Sequence, residues 1–368
     1  SEHGAVLGTH AQPLALTALG GSPGGTVEGE VVRFESLDAL QAAPDGSLAG
    51  KIAYVDYRMK PFRDGHDYGV GSKIRTDAPS VAIRKGAIGY VMRSAGTDSH
   101  RVPHTGITRF DDGLTPIPSA ALAAPDADQL ARLLALGPTR IRVALDCGWN
   151  GQTKSQNVIG EITGAKTSEV VVIGGHLDSW DLGTGAIDDA SGVAITMAAG
   201  HLIGKMKQPP LRTIRVIAYA NEEQGLFGAK AYAESQTTNI AKHQLIAESD
   251  FGAGRIYAFD SNAPDYAKSA VKQIADALAP LGVAYTPGEG DAGSDASASS
   301  ERGVTWASLS QDGTDYFDLH HTADDTLDKI DAKALAQNVA AYTVFAYLAA
   351  SADGDFGSAP KAPAPEQP

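Results

Sequence analysis

Four predominantly apolar stretches, at 158–162, 170–174, 211–219 and 245–249, constrain the fold of this chain more than any other feature. Strands buried on both faces read as nearly continuous apolar runs, not as strict alternation. Helical patterns fall between and after them, at 190–206, 225–235, 264–281 and 331–350, with Asp331 placed as the last helix's N-cap. Further strands are expected at 255–260 and 304–310. This order predicts an α/β domain with a mixed, mostly parallel central sheet and helices on both faces. Its titratable residues collect where strands should end: His176 and Asp178, the pair Glu222-Glu223, and Glu248 with Asp250, while Asp188-Asp189 opens a helix. Open α/β sheets bind ligands beyond the carboxyl ends of their strands.

The chain ahead of this region reads as a separate unit. Strands are expected at 31–34, 51–57, 87–93, 117–121 and 140–145, and helices at 36–43, 78–85 and 126–136, with Gly71, Gly86, Gly106 and Gly113 as punctuation. His100 and His104 are four residues apart, but Pro103 between them argues for a loop and against a helical metal pair. A length of 368 residues is comfortable for two domains. A net charge of -14 without any Lys/Arg cluster speaks against nucleic acid as a partner. Cys147 is the single cysteine, which excludes an intramolecular disulfide and a thiolate metal site. No apolar run approaches the roughly 20 residues of a membrane span. The chain starts at Ser1, not Met, which reads as removal of an upstream segment. Its Pro/Ala-rich end is expected to be a disordered tail.

The chemistry of the clustered residues is that of a metal-dependent hydrolase. A His-x-Asp step after a strand lets the carboxylate orient the imidazole and raise its basicity, so His176 reads as a ligand and Asp178 as its partner. One carboxylate can bridge two metals about 3.5–4 Å apart, and Asp188 takes that role, with helix capping left open for Asp189. Two adjacent carboxylates at a buried strand end repel each other, which makes Glu222-Glu223 costly without a cation. One of the two can bind metal while the other reaches the bound water. Asp250 is a better ligand than Glu248, His321 supplies the second imidazole, and His320 packs or orients. Three carboxylates and a bridging hydroxide then balance two divalent cations. The serines at 294–300 lack a Gly-x-Ser-x-Gly nucleophile elbow.

His176-Leu-Asp178, Asp188-Asp-Ala-Ser-Gly192, Asn221-Glu-Glu-Gln-Gly225, Glu248-Ser-Asp250 and His321-Thr-Ala-Asp-Asp-Thr326 resemble the five blocks of the co-catalytic zinc peptidases, the family of the bacterial leucyl aminopeptidases. The plasma glutamate carboxypeptidase branch is nearest, on Gly175-His-Leu-Asp-Ser-Trp-Asp181, Phe317-Asp-Leu-His-His321 and Pro103-His-Thr-Gly-Ile107. The resemblance implies a zinc exopeptidase fold carrying an inserted β-rich protease-associated domain. It divides the chain into a truncated start of the catalytic domain (1–27), the insertion (28–148), the catalytic domain (149–353) and the tail (354–368). It implies two Zn2+, with Mn2+ or Co2+ able to substitute. His176 and Asp250 would hold one ion, Glu223 and His321 the other, with Asp188 as bridge, Glu222 as general base and Asp178 orienting His176. A cis peptide between Asp188 and Asp189 and a pocket floor at Ser294-Asp295 are also implied. The expected activity is hydrolysis of short peptides, dipeptidase- or carboxypeptidase-like, with a broad aminopeptidase as the alternative. A glutaminyl cyclase-like enzyme and an inactive binding homologue are more remote. Arg75 or His104 is expected to meet the substrate carboxylate. Family likeness also suggests a secreted or periplasmic homodimer.

Overall fold

The computed structural model describes residues 2–8, 11–165 and 168–357. The stretch 358–368, most of the expected tail, lies outside the described residues. The chain divides into two compact units. The first comprises 1–153 with the short segments 180–184 and 317–325, and the second the remainder.

The first unit is built on an eight-stranded sheet. Its elements are β1 (His3–Leu7), β2 (Gln12–Leu14), β3 (Leu16–Ala18), β4 (Gly25–Phe34), α1 (Leu37–Gln41), β5 (Ile52–Val55), α2 (Tyr68–Arg84), β6 (Gly89–Arg93), β7 (Ser119–Leu122), α3 (Ala124–Leu136) and β8 (Arg140–Leu145). The spatial order is β2-β1-β8-β4-β5-β6-β7-β3, parallel only from β4 to β7. Residues 1–27, expected to open the peptidase domain, supply β1, β2, β3 and the start of β4 to this sheet. There β1 pairs with β8 and β3 with β7. All of β5, β6 and β7 is buried, so these strands read as apolar runs in sequence.

Helix α2 starts ten residues before its expected start at 78, and the reason is Pro79. Proline has no N–H for the carbonyl four residues back and normally breaks a helix. That carbonyl, on Arg75, instead accepts from the Thr108 hydroxyl at 2.7 Å. The helix continues because a distant side chain replaces the missing donor.

The second unit contains β9 (Val158–Ile162), β10 (Val170–His176), α4 (Ser191–Gly204), β11 (Thr213–Tyr219), α5 (Phe227–Ser235), β12 (His243–Glu248), β13 (Ile256–Ser261), α6 (Lys268–Leu278), β14 (Ala284–Tyr285), α7 (Ser294–Ser300) and β15 (Ala307–Gln311), followed after α8 (Tyr316–Leu319) by α9 (Ala332–Ser351). Its main sheet runs β12-β10-β11-β9, with β10 parallel to both neighbours and β9 antiparallel. A smaller sheet, β14-β13-β15, stands beside it. All seven residues of β10 are buried. Val171 and Ile173 join Ile195 of α4 and Phe345 of α9 in one core, while Val170 and Val172 join Ala229 of α5 and Ala296 of α7 in another. Each fully buried Val or Ile side chain contributes about 1.5–3 kcal/mol. The helix expected over 264–281 is regular only in α6, with 3-10 turns at 265–267 and 279–281, the latter holding Pro280. Asp331 caps α9 by accepting from the N–H groups of Lys333 and Ala334.

Candidate metal centre

His176 ends β10 and is 1% exposed. Its Nδ1 lies 2.8 Å from the main-chain carbonyl of Asp178, whereas the nearest Asp178 carboxylate oxygen is 3.7 Å away. A carbonyl only accepts, so Nδ1 carries a proton and Nε2 is the atom left for a metal. The main chain of Asp178 therefore makes the closer contact with the imidazole, with its carboxylate just beyond it. Nε2 faces Asp188 Oδ1 at 3.1 Å and Asp250 Oδ1 at 3.3 Å. Three electron-rich atoms converge there, and these three side chains form a buried to half-buried group able to hold a metal ion. The arrangement calls for positive charge. Burial opposes a charged His176, but the Asp250 carboxylate and hydrogen bonds to Asp178, Asp188 and Asp250 outweigh it and drive its pKa upward.

Asp188 and Asp189 lie in the tight turn leading into α4, both buried and joined by a cis peptide. Asp189 accepts from the N–H of His176 at 2.9 Å and of Gly192 at 3.1 Å. It caps the first turn of α4 and ties that turn to the end of β10. A Cβ on Gly192 would overlap the Ser249 carbonyl and the Asp189 carboxylate, so the sharp junction requires glycine. Asp188 points to His176 from this braced turn.

Glu222 and Glu223 follow β11 in a turn bounded by Asn221 at φ 55° and Leu226 at φ 59°. The Asp178 carboxylate accepts from both of their N–H groups, at 2.9 and 3.2 Å. Asp178 thus organises the site twice, through its carbonyl toward His176 and its carboxylate toward the paired glutamates. Burial first, then the charges of Glu223, Glu248 and Asp188, push the Glu222 pKa up to about 7 against the pull of His176. Burial likewise raises Asp250 to about 7 and Glu248 to about 8. Glu248 Oε2 accepts from the Ala296 N–H at 2.7 Å, and Asp250 faces His176. Asp295, in the first turn of α7, is 1% exposed, and burial pushes its pKa well above the usual range. Neither of its carboxylate oxygens has a hydrogen-bond partner among the described residues.

Beneath the end of β12 lies a polar network that the sequence did not announce. Gln311 Nε2 donates to Asn338 Oδ1 at 2.8 Å and to the Gly252 carbonyl at 2.6 Å, while Tyr342 donates to the Glu248 carbonyl. Two adjacent amides, Gln337 and Asn338, within an otherwise apolar helix were its only trace.

His320 and His321 lie in the segment 317–325, which packs within the first unit. His321 adopts φ 61° and its Nδ1 donates to the Thr105 carbonyl at 3.2 Å, so it too presents Nε2. Its ring stacks on His320 at 3.5 Å. His104 is 1% exposed, with Nδ1 2.7 Å from the His320 carbonyl and Nε2 2.7 Å from Asp98 Oδ1. Arg75 is 6% exposed and donates through Nε to the Ile107 carbonyl and through Nη1 to the Tyr68 hydroxyl. Neither side chain reaches outward as the expected contact with a substrate carboxylate requires. Both ring nitrogens of His104 are already committed, and Arg75 is held against its own unit.

The sequence pattern of peptidase family M28 matches residues 157–346. Mouse carboxypeptidase Q is 32% identical over 358 residues, spanning 96% of this chain and 74% of its own. A solved structure of a peptidase M28 precursor from Shewanella amazonensis SB2B is 46% identical with a TM-score of 0.94, covering 98% of this chain and 83% of its own. An aminopeptidase from Aneurinibacillus sp. strain AM-1 shares the fold at 24% identity and a TM-score of 0.63, over 98% of this chain and 83% of its own. With catalytic-type residues gathered at its strand ends and these relatives along nearly its whole length, the chain belongs to peptidase family M28 and is a metallo-exopeptidase.

Proposed function

We propose that this chain is a two-zinc exopeptidase that hydrolyses short peptides, with free dipeptides as preferred substrates. The convergence of His176 Nε2, Asp188 and Asp250, three electron-rich groups that need a cation between them, carries this reading. His176 and Asp250 would hold one zinc, Glu223 and His321 the other, with Asp188 shared. The likeness of their sequence blocks to the co-catalytic zinc peptidases supports this division. Two oxygen ligands and one imidazole per ion also suit Mn2+ or Co2+.

Bound zinc supplies Lewis acidity toward the scissile carbonyl and toward a water at neutral pH. Glu222 takes the proton of the attacking water and passes it to the leaving amine. A base serves both steps when it can hold the proton between them, and burial raises the Glu222 carboxyl in that direction. Asp178 holds the backbone of Glu222 in place through its carboxylate. Asp295, buried behind the acids, belongs to the pocket floor.

The first unit is read as a protease-associated domain, on its sequence likeness. The same likeness favours a secreted or periplasmic homodimer. Among the described residues no helix is long and apolar enough to cross a membrane.

Hydrolysis of free dipeptides, N-acylated dipeptides and C-amidated dipeptides by the zinc-loaded protein tests the substrate reading. Free dipeptides should be cleaved fastest. Equal rates on amidated peptides would mark an aminopeptidase instead, and equal rates on acylated peptides a carboxypeptidase. No cleavage of any peptide by protein with zinc bound would overturn the proposal.

A further inference from the structure

A seam of hydrogen bonds within the first unit holds the segment that carries His321. The Thr97 N–H donates to the Phe317 carbonyl at 3.1 Å and its hydroxyl to Asp318 Oδ1 at 2.7 Å. His104 Nδ1 donates to the His320 carbonyl at 2.7 Å, and the Thr105 N–H to the His321 carbonyl at 3.0 Å. His321 Nδ1 returns a bond to the Thr105 carbonyl. The two peptide planes flanking the His321 Cα are therefore pinned separately, one by His104 and one by Thr105. Those planes fix φ and ψ of a non-glycine residue in the left-handed region, where it does not settle unaided.

We propose that His104, paired with Asp98, is a positioning residue that aims His321 at its metal. Both neighbours of the His104 ring, the His320 carbonyl and Asp98 Oδ1, are acceptors. The ring is thus held at both nitrogens, between the His320 carbonyl and the Asp98 carboxyl group. The strut is built in: a Cβ on Gly96 would occupy the space of the His104 ring. The His104 N–H donates to Ser94 Oγ at 2.9 Å, and Ser94 Oγ donates in turn to the Leu122 carbonyl at 2.7 Å, which roots the loop on β7. The proposal rests on the reading of His321 as a metal ligand. It adds that His321's aim is set by a loop histidine whose ring bonds a carbonyl 216 residues away in sequence.

The test is zinc retention at 25 °C in folded protein, followed by elemental analysis and by the rate of zinc transfer to a chromophoric chelator. In His104→Gln, which keeps a hydrogen-bonding group but removes one donor, one zinc equivalent should leave at least tenfold faster while the other leaves at the wild-type rate. The loss in kcat should be recovered at high free zinc, which a merely structural defect would not allow. Asp98→Ala keeps the ring and removes the carboxyl group that anchors its Nε2, so it should act in the same direction and keeps the test decisive if His104→Gln folds poorly. Wild-type release of both ions from the folded variants would overturn the positioning role. His321→Ala separates the two levels: retention of two tightly held zinc ions there would overturn the ligand reading itself.

Discussion

Glu222 and Glu223 are adjacent, yet the proposed mechanism gives them different work. Glu222→Gln is expected to leave the zinc content unchanged and to lower kcat roughly 10²–10⁴-fold, the usual contribution of a positioned acid–base group. Loss of a zinc equivalent by elemental analysis would exchange the two roles. Asp188→Ala should be worse for metal than Asp250→Ala, because it removes a shared ligand facing His176. Zinc per chain should fall to one or none, and retention of two ions after dialysis would rule out the bridge. The residue types at these positions were legible in the sequence because ligands must be His or carboxylate. Their atoms were not. The partner of His176 Nδ1 is the Asp178 carbonyl because the chain turns immediately after β10, and residue spacing does not encode that turn.

At the scale of elements, two junctions show local preference overridden by a distant group. Thr108 supplies the donor that Pro79 withholds from the Arg75 carbonyl. Thr108→Val should therefore destabilise the protein by about 1–3 kcal/mol by stranding a buried acceptor. In a Pro79→Ala background, where the helix makes its own bond, the same substitution should cost clearly less. Equal costs in urea unfolding of both backgrounds would refute this explanation of the helix's length. Gly192 is the other junction, where the start of α4 passes Ser249 and Asp189 too closely for any side chain. Gly192→Ala is expected to cost about 1–3 kcal/mol through overpacking and to reduce zinc affinity by displacing the turn that carries Asp188. Denaturation with unchanged zinc titration would show the turn to be independent of the metal site.

For the whole molecule, the buried acids Asp188, Asp189 and Asp295, with the half-buried Glu248 and Asp250, make the second unit self-repelling. A cation that binds only the folded state stabilises it by mass action, about 2.7 kcal/mol at a hundredfold excess over Kd. Chelation should thus lower the melting temperature by several degrees, and added zinc should restore it, with hydrogen exchange slowing mainly in β10, β11 and β12. A melting temperature indifferent to chelator would mean that the acids are relieved by protons instead.

The α/β character of the second unit, the strand ends that carry the acids, and the residues proposed here as metal donors were all legible in the sequence. Those features follow from local periodicity and from residue chemistry. That β1, β2 and β3 extend the first unit's sheet was settled only by the tertiary fold, because an edge strand's partner lies beyond any local signal. The fold also bonded the ring of His104, expected from the sequence to contact substrate, to the His320 carbonyl. That outcome depends on a bond spanning 216 residues, which forms only once the fold has brought an imidazole and a backbone carbonyl together out of reach of water.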